Sequence, residues 1–273
     1  TRNMSSAASD VYKRQANIVA EKIIPNEREI YSKSENSASV RKEIREQVKK
    51  EKLWAPHLPE EYGGMGIGFM AHAYMNEILA WSPLSNRLFG VIAPNSGNQK
   101  VLLKYGSEEQ KKKWLEPLIA GEMESAFSMT EPDNAGSDPR SIQTTAKKEG
   151  DEWVINGHKV MTSNGIKADF AIVMCRTEEE GEDGEVNSRM TQIIVPTDTP
   201  GFNVIRSVPI WGHTGGDHVE IKYENVRVPV ENQLGARGTG HAAAQDRLGA
   251  GRVFHCMNSC LLYTSPSPRD PKS

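Results

Sequence analysis

Residues 127–138 read FSMTEPDNAGSD, and residues 156–165 read NGHKVMTSNG. Each stretch opens like a strand and then breaks into a turn that is rich in hydroxyl side chains, Gly, Asn and Asp. A strand end of this kind presents hydroxyls and free backbone N–H groups, which suit an electron-rich planar cofactor better than a hydrophobic core. We call residues 127–138 the first segment and residues 156–165 the second segment, and we interpret both as parts of one binding site.

The hydrophobic pattern changes its period near residue 122. Residues 16–121 show helical spacing, and Ser107 with Gln110 predicts a capping box for a helix that ends at Gly121. Beyond residue 122, alternating runs predict strands at 125–130, 141–148, 152–156, 159–163, 170–175, 191–196, 202–208 and 218–226. A solvated hairpin loop is predicted at 178–187. Residues 238–259 are predicted to be helical, so an all-β module lies between two helical parts.

Several helices and inward faces are predicted within the helical parts. The helices are expected over residues 40–52, 69–81 and 88–105. The residues predicted to face a core are Ile18, Val19, Ile23 and Ile24 near the start, and Ala242, Ala243, Leu248, Val253 and Met257 near the end.

Both ends of the chain are predicted to be foreign. Residues 5–15 (SSAASDVYKRQ) and 260–270 (CLLYTSPSPRD) are direct translations of the two opposite adapters of a transposon sequencing method. We therefore expect residues 1–15 and 260–273 to be adapter-derived tails. Residues 16–259 would then be the natural chain, cut from a longer gene.

Composition excludes several classes of function. Without the predicted tails the chain carries 28 basic and 34 acidic residues, a net charge of -6, which argues against nucleic acid or an anionic membrane as the main partner. No apolar run approaches the roughly eighteen residues of a membrane span. Cys175 and Cys256 suit a reducing compartment and give no disulfide framework or metal cluster.

The first and second segments together resemble the flavin-cradling segments of the acyl-CoA dehydrogenase family. Residues 211–221, 226–229, 234–235, 238–241 and 247–252 resemble later parts of the same family. The resemblance implies an α+β multidomain protein. Its parts would be an α-helical N-terminal domain over 16–122, a β-barrel-like middle domain over 123–235, and the start of a truncated C-terminal helical bundle over 236–259.

The resemblance also implies roles for individual residues. Phe127, Met129, Thr130, Met161 and Ser163 are expected to bind FAD, with the Ser163 hydroxyl approaching flavin N5. Preorganised donors there would lower the cost of the negative charge that flavin reduction creates.

Two further residues are expected to act on the substrate side. The serine that matches Ser137 contacts the acyl-CoA thioester in the family, and the arginine that matches Arg252 lies near the reacting centre in many relatives. A solvated or structural role for Arg252 is the alternative. The base is a carboxylate that usually lies in the C-terminal domain, so no base is named in this chain.

The first segment departs from the short form of the family motif. Pro132, Asp133 and Asn134 make three residues where that form has two, and this longer form resembles the branch whose animal members are fused to a phosphotransferase-like domain. Met161 stands where the family usually has Trp or Phe against the flavin. Methionine can also pack on a ring face.

Several other residues could suggest further chemistries, but each also has a plain structural role. Glu131 and Asp138 could form a paired-carboxylate site, but we expect Glu131 to hold backbone amides and Asp138 to cap its loop. Residues 63–66 (GGMG) lack phosphate-loop spacing and are predicted to form a turn. His213, His218 and His241 lack metal-ligand spacing, and no metal is expected. Thr130 could simply cap a turn.

The function implied is FAD-dependent α,β-dehydrogenation of an acyl-CoA. An electron-transfer flavoprotein would be the electron acceptor, the full-length protein would be a homo-oligomer, and the location would be cytoplasmic, or mitochondrial or peroxisomal in a eukaryote. An acyl-CoA oxidase or flavin monooxygenase on the same scaffold is one alternative, which rapid flavin reoxidation in air would reveal. A non-catalytic acyl-CoA- or flavin-binding module is another, which a stop codon soon after Ser259 would reveal.

Overall fold

A computed structural model of the chain describes residues 6–32, 34–180, 186–210 and 217–264. The chain divides into two compact units, residues 1–92 with 249–273, and residues 93–248. The described residues form the predicted α+β arrangement, with helices first, a sheet in the middle and a helix at the end. The predicted fold class is therefore confirmed, although the sheet is a barrel-like ring rather than a closed barrel.

The first unit is built from short helices around an aliphatic core. Its helices are α1 (Ser6–Ile18), which continues as a π-helical turn (Val19–Ile23) and a 3-10 turn (Ile24–Asn26), then α2 (Glu27–Tyr31), α3 (Glu35–Lys50), α4 (Gly68–Leu79) and α5 (Ser85–Leu88). Residues 6–15, predicted as part of a foreign tail, lie in α1. Ile18, Val19 and Ile23 are buried as predicted, but Ile24 is 42% exposed. The prediction for Ile24 was wrong because the change from π to 3-10 geometry shifts the helical phase.

The loop at residues 63–66 is a turn, as predicted. Gly63 ends a 3-10 turn (Glu60–Tyr62) with φ +76, and Gly66 has φ +59. Glycine adopts this left-handed conformation without the steric cost that other residues carry.

The helical part of the second unit confirms two predicted end signals. It comprises α6 (Asn95–Tyr105), α7 (Glu108–Gln110), a π-helical turn (Lys111–Leu115) and α8 (Glu116–Ala120). Ser107 and Gln110 form the predicted capping box, and Gly121 ends α8 with φ +80. One continuous helix over 88–105 was a wrong prediction, because α5 ends at Leu88 and Pro94, which lacks a backbone N–H, precedes α6.

The described residues form one sheet of eight strands. The strands are β1 (Ser125–Ser128), β2 (Thr145–Glu149), β3 (Glu152–Ser163), β4 (Phe170–Glu180), β5 (Val186–Pro196), β6 (Phe202–Ser207), β7 (His218–Pro229) and β8 (Gln233–Leu234). Seven of them follow the order β6-β7-β3-β1-β4-β5-β8, and β2 pairs with both β3 and β4. The two strands predicted at 152–156 and 159–163 are one strand, since Gly157 continues the pairing with β7 through a bulge. Of the loop predicted at 178–187, residues 178–180 and 186–187 are strand residues because β4 and β5 pair as far as Glu180 and Val186, and residues 181–185 lie outside the described residues.

The strands β1 and β2 occupy one lateral position between β3 and β4. Both run antiparallel to β3 and parallel to β4, β1 beside the end of β3 and β2 beside its beginning. The chain therefore leaves the sheet after β1, makes an excursion, and returns to the same slot at Thr145. The excursion contains most of the first segment. It also contains a 3-10 turn (Pro139–Ser141).

The final helix, α9 (Gly240–Thr264), continues beyond residue 259. Ala243 is buried as predicted, but Ala242 is exposed and Ala244 is buried instead. Leu248 and Met257 are partly buried, and the side chain of Val253 lies outside the described set. Within the described residues, we find no helix with the length and apolar character needed to cross a membrane.

Candidate functional site

The carboxylate of Glu131 joins the two ends of the excursion through hydrogen bonds. Its Oε1 accepts hydrogen bonds from Thr144 N at 2.8 Å, Thr144 Oγ1 at 2.6 Å and Lys159 Nζ at 3.0 Å. Its Oε2 accepts from Gln143 N at 2.7 Å and Asn134 Nδ2 at 2.6 Å. Glu131 therefore joins the point where the chain leaves the sheet to the point where it returns, and it holds backbone amides as predicted.

Glu131 and Lys159 form a buried ion pair. The side chains of Glu131 and Lys159 are 5% and 0% exposed. Burial raises the pKa of Glu131, but the Lys159 charge and the hydrogen bonds outweigh it and lower the pKa to about 2. Burial lowers the pKa of Lys159, and the Glu131 charge opposes that shift. A carboxylate held in this way cannot serve as a general base near neutral pH.

Backbone and side-chain hydrogen bonds join the first and second segments. Thr130 Oγ1 donates to the Val160 carbonyl at 2.6 Å, and Val160 N donates to the Thr130 carbonyl at 2.9 Å. Lys159 Nζ donates to the Met129 carbonyl at 2.8 Å. Because the Thr130 proton is used in this way, the hydroxyl can offer a ligand only its lone pairs.

Met161 lies where the pairing of β3 with β7 is interrupted. The register shifts between Lys159 and Thr162, and Met161 has φ +58 with 42% of its surface exposed. This conformation is costly for a long side chain, and such outliers persist mainly where a site needs them. The fold therefore presents an exposed, polarisable side chain beside Thr130.

Ser163 ends β3 and pairs with residues of two neighbouring strands. It lies opposite Phe127 of β1 and opposite His218 of β7. Ser163 Oγ and His218 Nδ1 are 2.9 Å apart and share a hydrogen bond. The next residue, Asn164, adopts φ +66 and starts the turn.

Phe127 and Met129 belong to an apolar cluster with Met190 and Ala244. The guanidinium carbon of Arg247 lies 4.0 Å from the centre of the Phe127 ring, within the range of a cation–π contact. Arg247 Nε donates to Asn98 Oδ1 at 3.1 Å. Burial lowers the pKa of Arg247 to about 10, so this side chain stays charged at neutral pH.

Ser137, Asp138 and Arg252 were also singled out in the sequence. Ser137 is exposed on the excursion, and Arg252 is exposed on α9 in the part assigned to the first unit. Asp138 caps the 3-10 turn by accepting from Arg140 N at 3.0 Å, as predicted. Among the described residues no group of three His, Cys, Asp or Glu could hold a metal ion, and His213 lies outside them.

Sequence reasoning gave no role to Lys159, His218 or Arg247. Lys159 could have been noticed as a charged residue within an alternating strand pattern. His218 and Arg247 gave no such signal, because their partners Ser163 and Phe127 lie far away in sequence and only the sheet register and α9 bring them together.

The predicted flavin residues fit such a group in their chemistry. Ser163 offers a hydroxyl that can donate or accept, and Thr130 offers lone pairs. Met161 and Phe127 offer apolar surface for a planar ring. The exposed Met161, held at positive φ at the register shift of β3, is one observation that favours a ligand here.

Two family descriptions match this chain in order. Residues 7–122 match "Acyl-CoA dehydrogenase, N-terminal domain", and residues 126–226 match "Acyl-CoA dehydrogenase, middle domain". A solved structure of a putative acyl-CoA dehydrogenase from Mycobacterium abscessus is 32% identical, with a TM-score of 0.83, over 94% of this chain and 67% of that one. The chain belongs to the acyl-CoA dehydrogenase family, whose general reaction is FAD-dependent dehydrogenation.

Curated relatives are longer than this chain. The probable acyl-CoA dehydrogenase FadE2 of Mycobacterium tuberculosis is 40% identical over 221 residues, which cover 80% of this chain and 53% of FadE2. Acyl-CoA dehydrogenase family member 11 of Homo sapiens is 38% identical over 254 residues, 88% of this chain and 32% of that protein. The chain thus spans about half the length of FadE2 and about a third of the human relative.

Proposed function

We propose that the chain forms the FAD-binding part of an enzyme that dehydrogenates an acyl-CoA between its α and β carbons. The observation that supports this most is the reciprocal hydrogen bonding of Thr130 and Val160, which joins the first segment to the second. FAD, when bound, would accept the hydrogen removed from the acyl chain.

The predicted site residues would have different roles towards FAD and the acyl-CoA. Ser163 would hydrogen-bond flavin N5, Thr130 would accept a hydrogen bond from the ring, and Met161 and Phe127 would cover ring surface. Met129 would line the same site through its backbone. Ser137 would contact the thioester, and Arg252 would lie near the reacting centre.

The base is proposed to come from a segment that this chain does not contain. Glu131 is saturated by hydrogen bonds, and Asp138 is paired with Arg140 at 2.9 Å, so neither of these two carboxylates is free to take the α-proton. An electron-transfer flavoprotein as acceptor, a homo-oligomer for the full-length protein and a cytoplasmic location complete the proposal.

The test is an FAD titration of the purified chain, in which binding is monitored by flavin fluorescence and by calorimetry. We expect weak, saturable binding that Ser163→Ala weakens about tenfold. The control Ser188→Ala, on the exposed part of β5, should leave the affinity unchanged. We also expect no turnover of acyl-CoA by this chain. Absence of binding, or equal affinity of the Ser163→Ala variant, would contradict the proposal.

A further inference from the structure

His218 is the first residue of β7 and lies directly opposite Ser163 at the end of β3. The 2.9 Å hydrogen bond between Ser163 Oγ and His218 Nδ1 joins two partly buried side chains. The backbone fixes the pair from both strands, since Ser163 also pairs with Phe127 of β1. The geometry is therefore built into the sheet.

This hydrogen bond can run in either direction. If His218 Nδ1 carries a proton, it donates to Ser163 Oγ, and the serine proton is free for another acceptor. If Nδ1 is bare, Ser163 donates to it, and Oγ can accept from another donor. The imidazole tautomer therefore decides whether Ser163 presents a donor or an acceptor to a ligand.

We propose that His218 is a positioning residue that lets the Ser163 hydroxyl serve both redox states of the bound flavin. This inference rests on the proposed function. N5 of an oxidised flavin accepts a hydrogen bond, whereas N5–H of a reduced flavin donates one. Ser163 must therefore donate in the first state and accept in the second, and His218 supplies the matching partner in each.

The exchange conserves protons and charge. In the oxidised state His218 carries its proton on Nδ1 and donates to Ser163, which donates to N5. In the reduced state the partly exposed imidazole has given its Nδ1 proton to solvent and taken one from solvent on Nε2, Ser163 donates to Nδ1, and Ser163 accepts from N5–H. The imidazole gains no electrons and only changes tautomer.

Loss of His218 would affect the two states unequally. With oxidised flavin, Ser163 would still place its proton on N5. With reduced flavin, the serine proton would lose its acceptor while the bound ring shields it from water, and an unsatisfied shielded donor costs more than a missing bond to an acceptor that keeps other partners. Removal of the imidazole should therefore weaken binding of the reduced flavin selectively.

The experiment measures the dissociation constants of FAD and of anaerobically reduced FAD for the chain and for His218→Leu. We expect the constant for FAD to change less than threefold and that for reduced FAD to rise at least tenfold. By linkage, a tenfold rise in the dissociation constant of reduced FAD relative to that of FAD lowers the two-electron reduction potential of the bound flavin by about 30 mV. His218→Asn, whose amide can donate or accept near the Nδ1 position, should restore most of the difference.

His158→Leu is the matched control, because His158 is also a strand histidine but pairs with Glu220 at 2.8 Å. It should leave the ratio of the two constants unchanged. Equal weakening of both flavin states by His218→Leu would show a merely structural role and overturn this inference alone. Failure of the unmodified chain to bind FAD would overturn the proposed function and this inference together.

Discussion

Glu131 is the residue on which the excursion between β1 and β2 depends. Buried ion pairs gain little over apolar packing, but the removal of one partner leaves an uncompensated charge in the interior. Here the carboxylate also accepts three hydrogen bonds from Thr144 and Gln143, at the return point of the chain. The same carboxylate therefore balances the buried charge of Lys159 and accepts hydrogen bonds from the backbone N–H groups of Gln143 and Thr144.

The stability of the chain should depend on pH through Glu131. Its pKa of about 2 lies below the ordinary value of 4.5, so its stabilising contribution is complete above pH 4.5 and is lost as pH falls towards 2. The contribution is on the order of 3 kcal/mol. In Glu131→Gln we expect lower stability at pH 7 and a flatter acid limb, measured by urea unfolding from pH 7 to 2.5.

A surface variant provides the comparison for that experiment. Glu149 forms an exposed ion pair with Arg227, and Glu149→Gln should change the free energy of unfolding by less than about 1 kcal/mol at any pH. Parallel pH profiles for the unmodified chain and Glu131→Gln would contradict the role given to Glu131.

At the scale of elements, the slot between β3 and β4 is filled by two strands placed end to end. The chain between these two strands must pass close to β3, and Gly157 leaves room for it because glycine has no side chain. A Cβ at Gly157 would overlap the side chain of Thr144, which itself bonds Glu131. The absence of a side chain at this position is therefore a packing requirement.

Gly157→Ala should destabilise the second unit by about 1–3 kcal/mol because the added methyl displaces Thr144. Gly249→Ala is a matched substitution in α9, where a Cβ would meet nothing within 4 Å. It should be neutral or stabilise the chain by up to about 1 kcal/mol through helix propensity. Equal midpoints of thermal unfolding for the two variants would refute the packing argument.

The capping box at Ser107 has a second function in the fold. Gln110 Nε2 donates to the carbonyls of Glu231 and Gln233 at 2.6 and 2.9 Å, which ties α7 to the segment that leads into β8. Gln110→Ala should therefore cost more than the roughly 1 kcal/mol expected for Ser107→Ala, which removes the cap but leaves the bonds from Gln110 to Glu231 and Gln233 in place. Chemical denaturation of both variants decides the order, and a larger loss in Ser107→Ala would contradict it.

At the scale of the whole chain, all five residues proposed to hold FAD lie in one of its two compact units. Binding should therefore stabilise residues 93–248, by about 2.7 kcal/mol at a free FAD concentration one hundred times the dissociation constant. Hydrogen exchange should slow in β1 and β3 on addition of FAD, while α3 should exchange at its original rate. If hydrogen exchange slowed in α3 as much as in β1 and β3, the proposed location of the FAD site would be contradicted.

Local signals in the sequence were sufficient for much of the fold. The capping box at Ser107, the helix stop at Gly121 and the alternation of the strands depend on neighbours a few residues away, and the structure confirms them. Predictions failed where packing overrides a local pattern. Ile24 turns outward with a change of helix type, and β4 and β5 extend through acidic residues because they pair with each other.

The sequence by itself determined the family, the order of helical and β parts, and the two segments that carry the candidate site, because short-range patterns and motif residues encode them. Only the tertiary structure decided that Glu131 closes its own excursion with Lys159, that His218 bonds Ser163, and that Arg247 covers Phe127. Those partners are brought together by strand register and by the placement of α9. Both depend on the simultaneous packing of the whole unit, which no local stretch of sequence specifies.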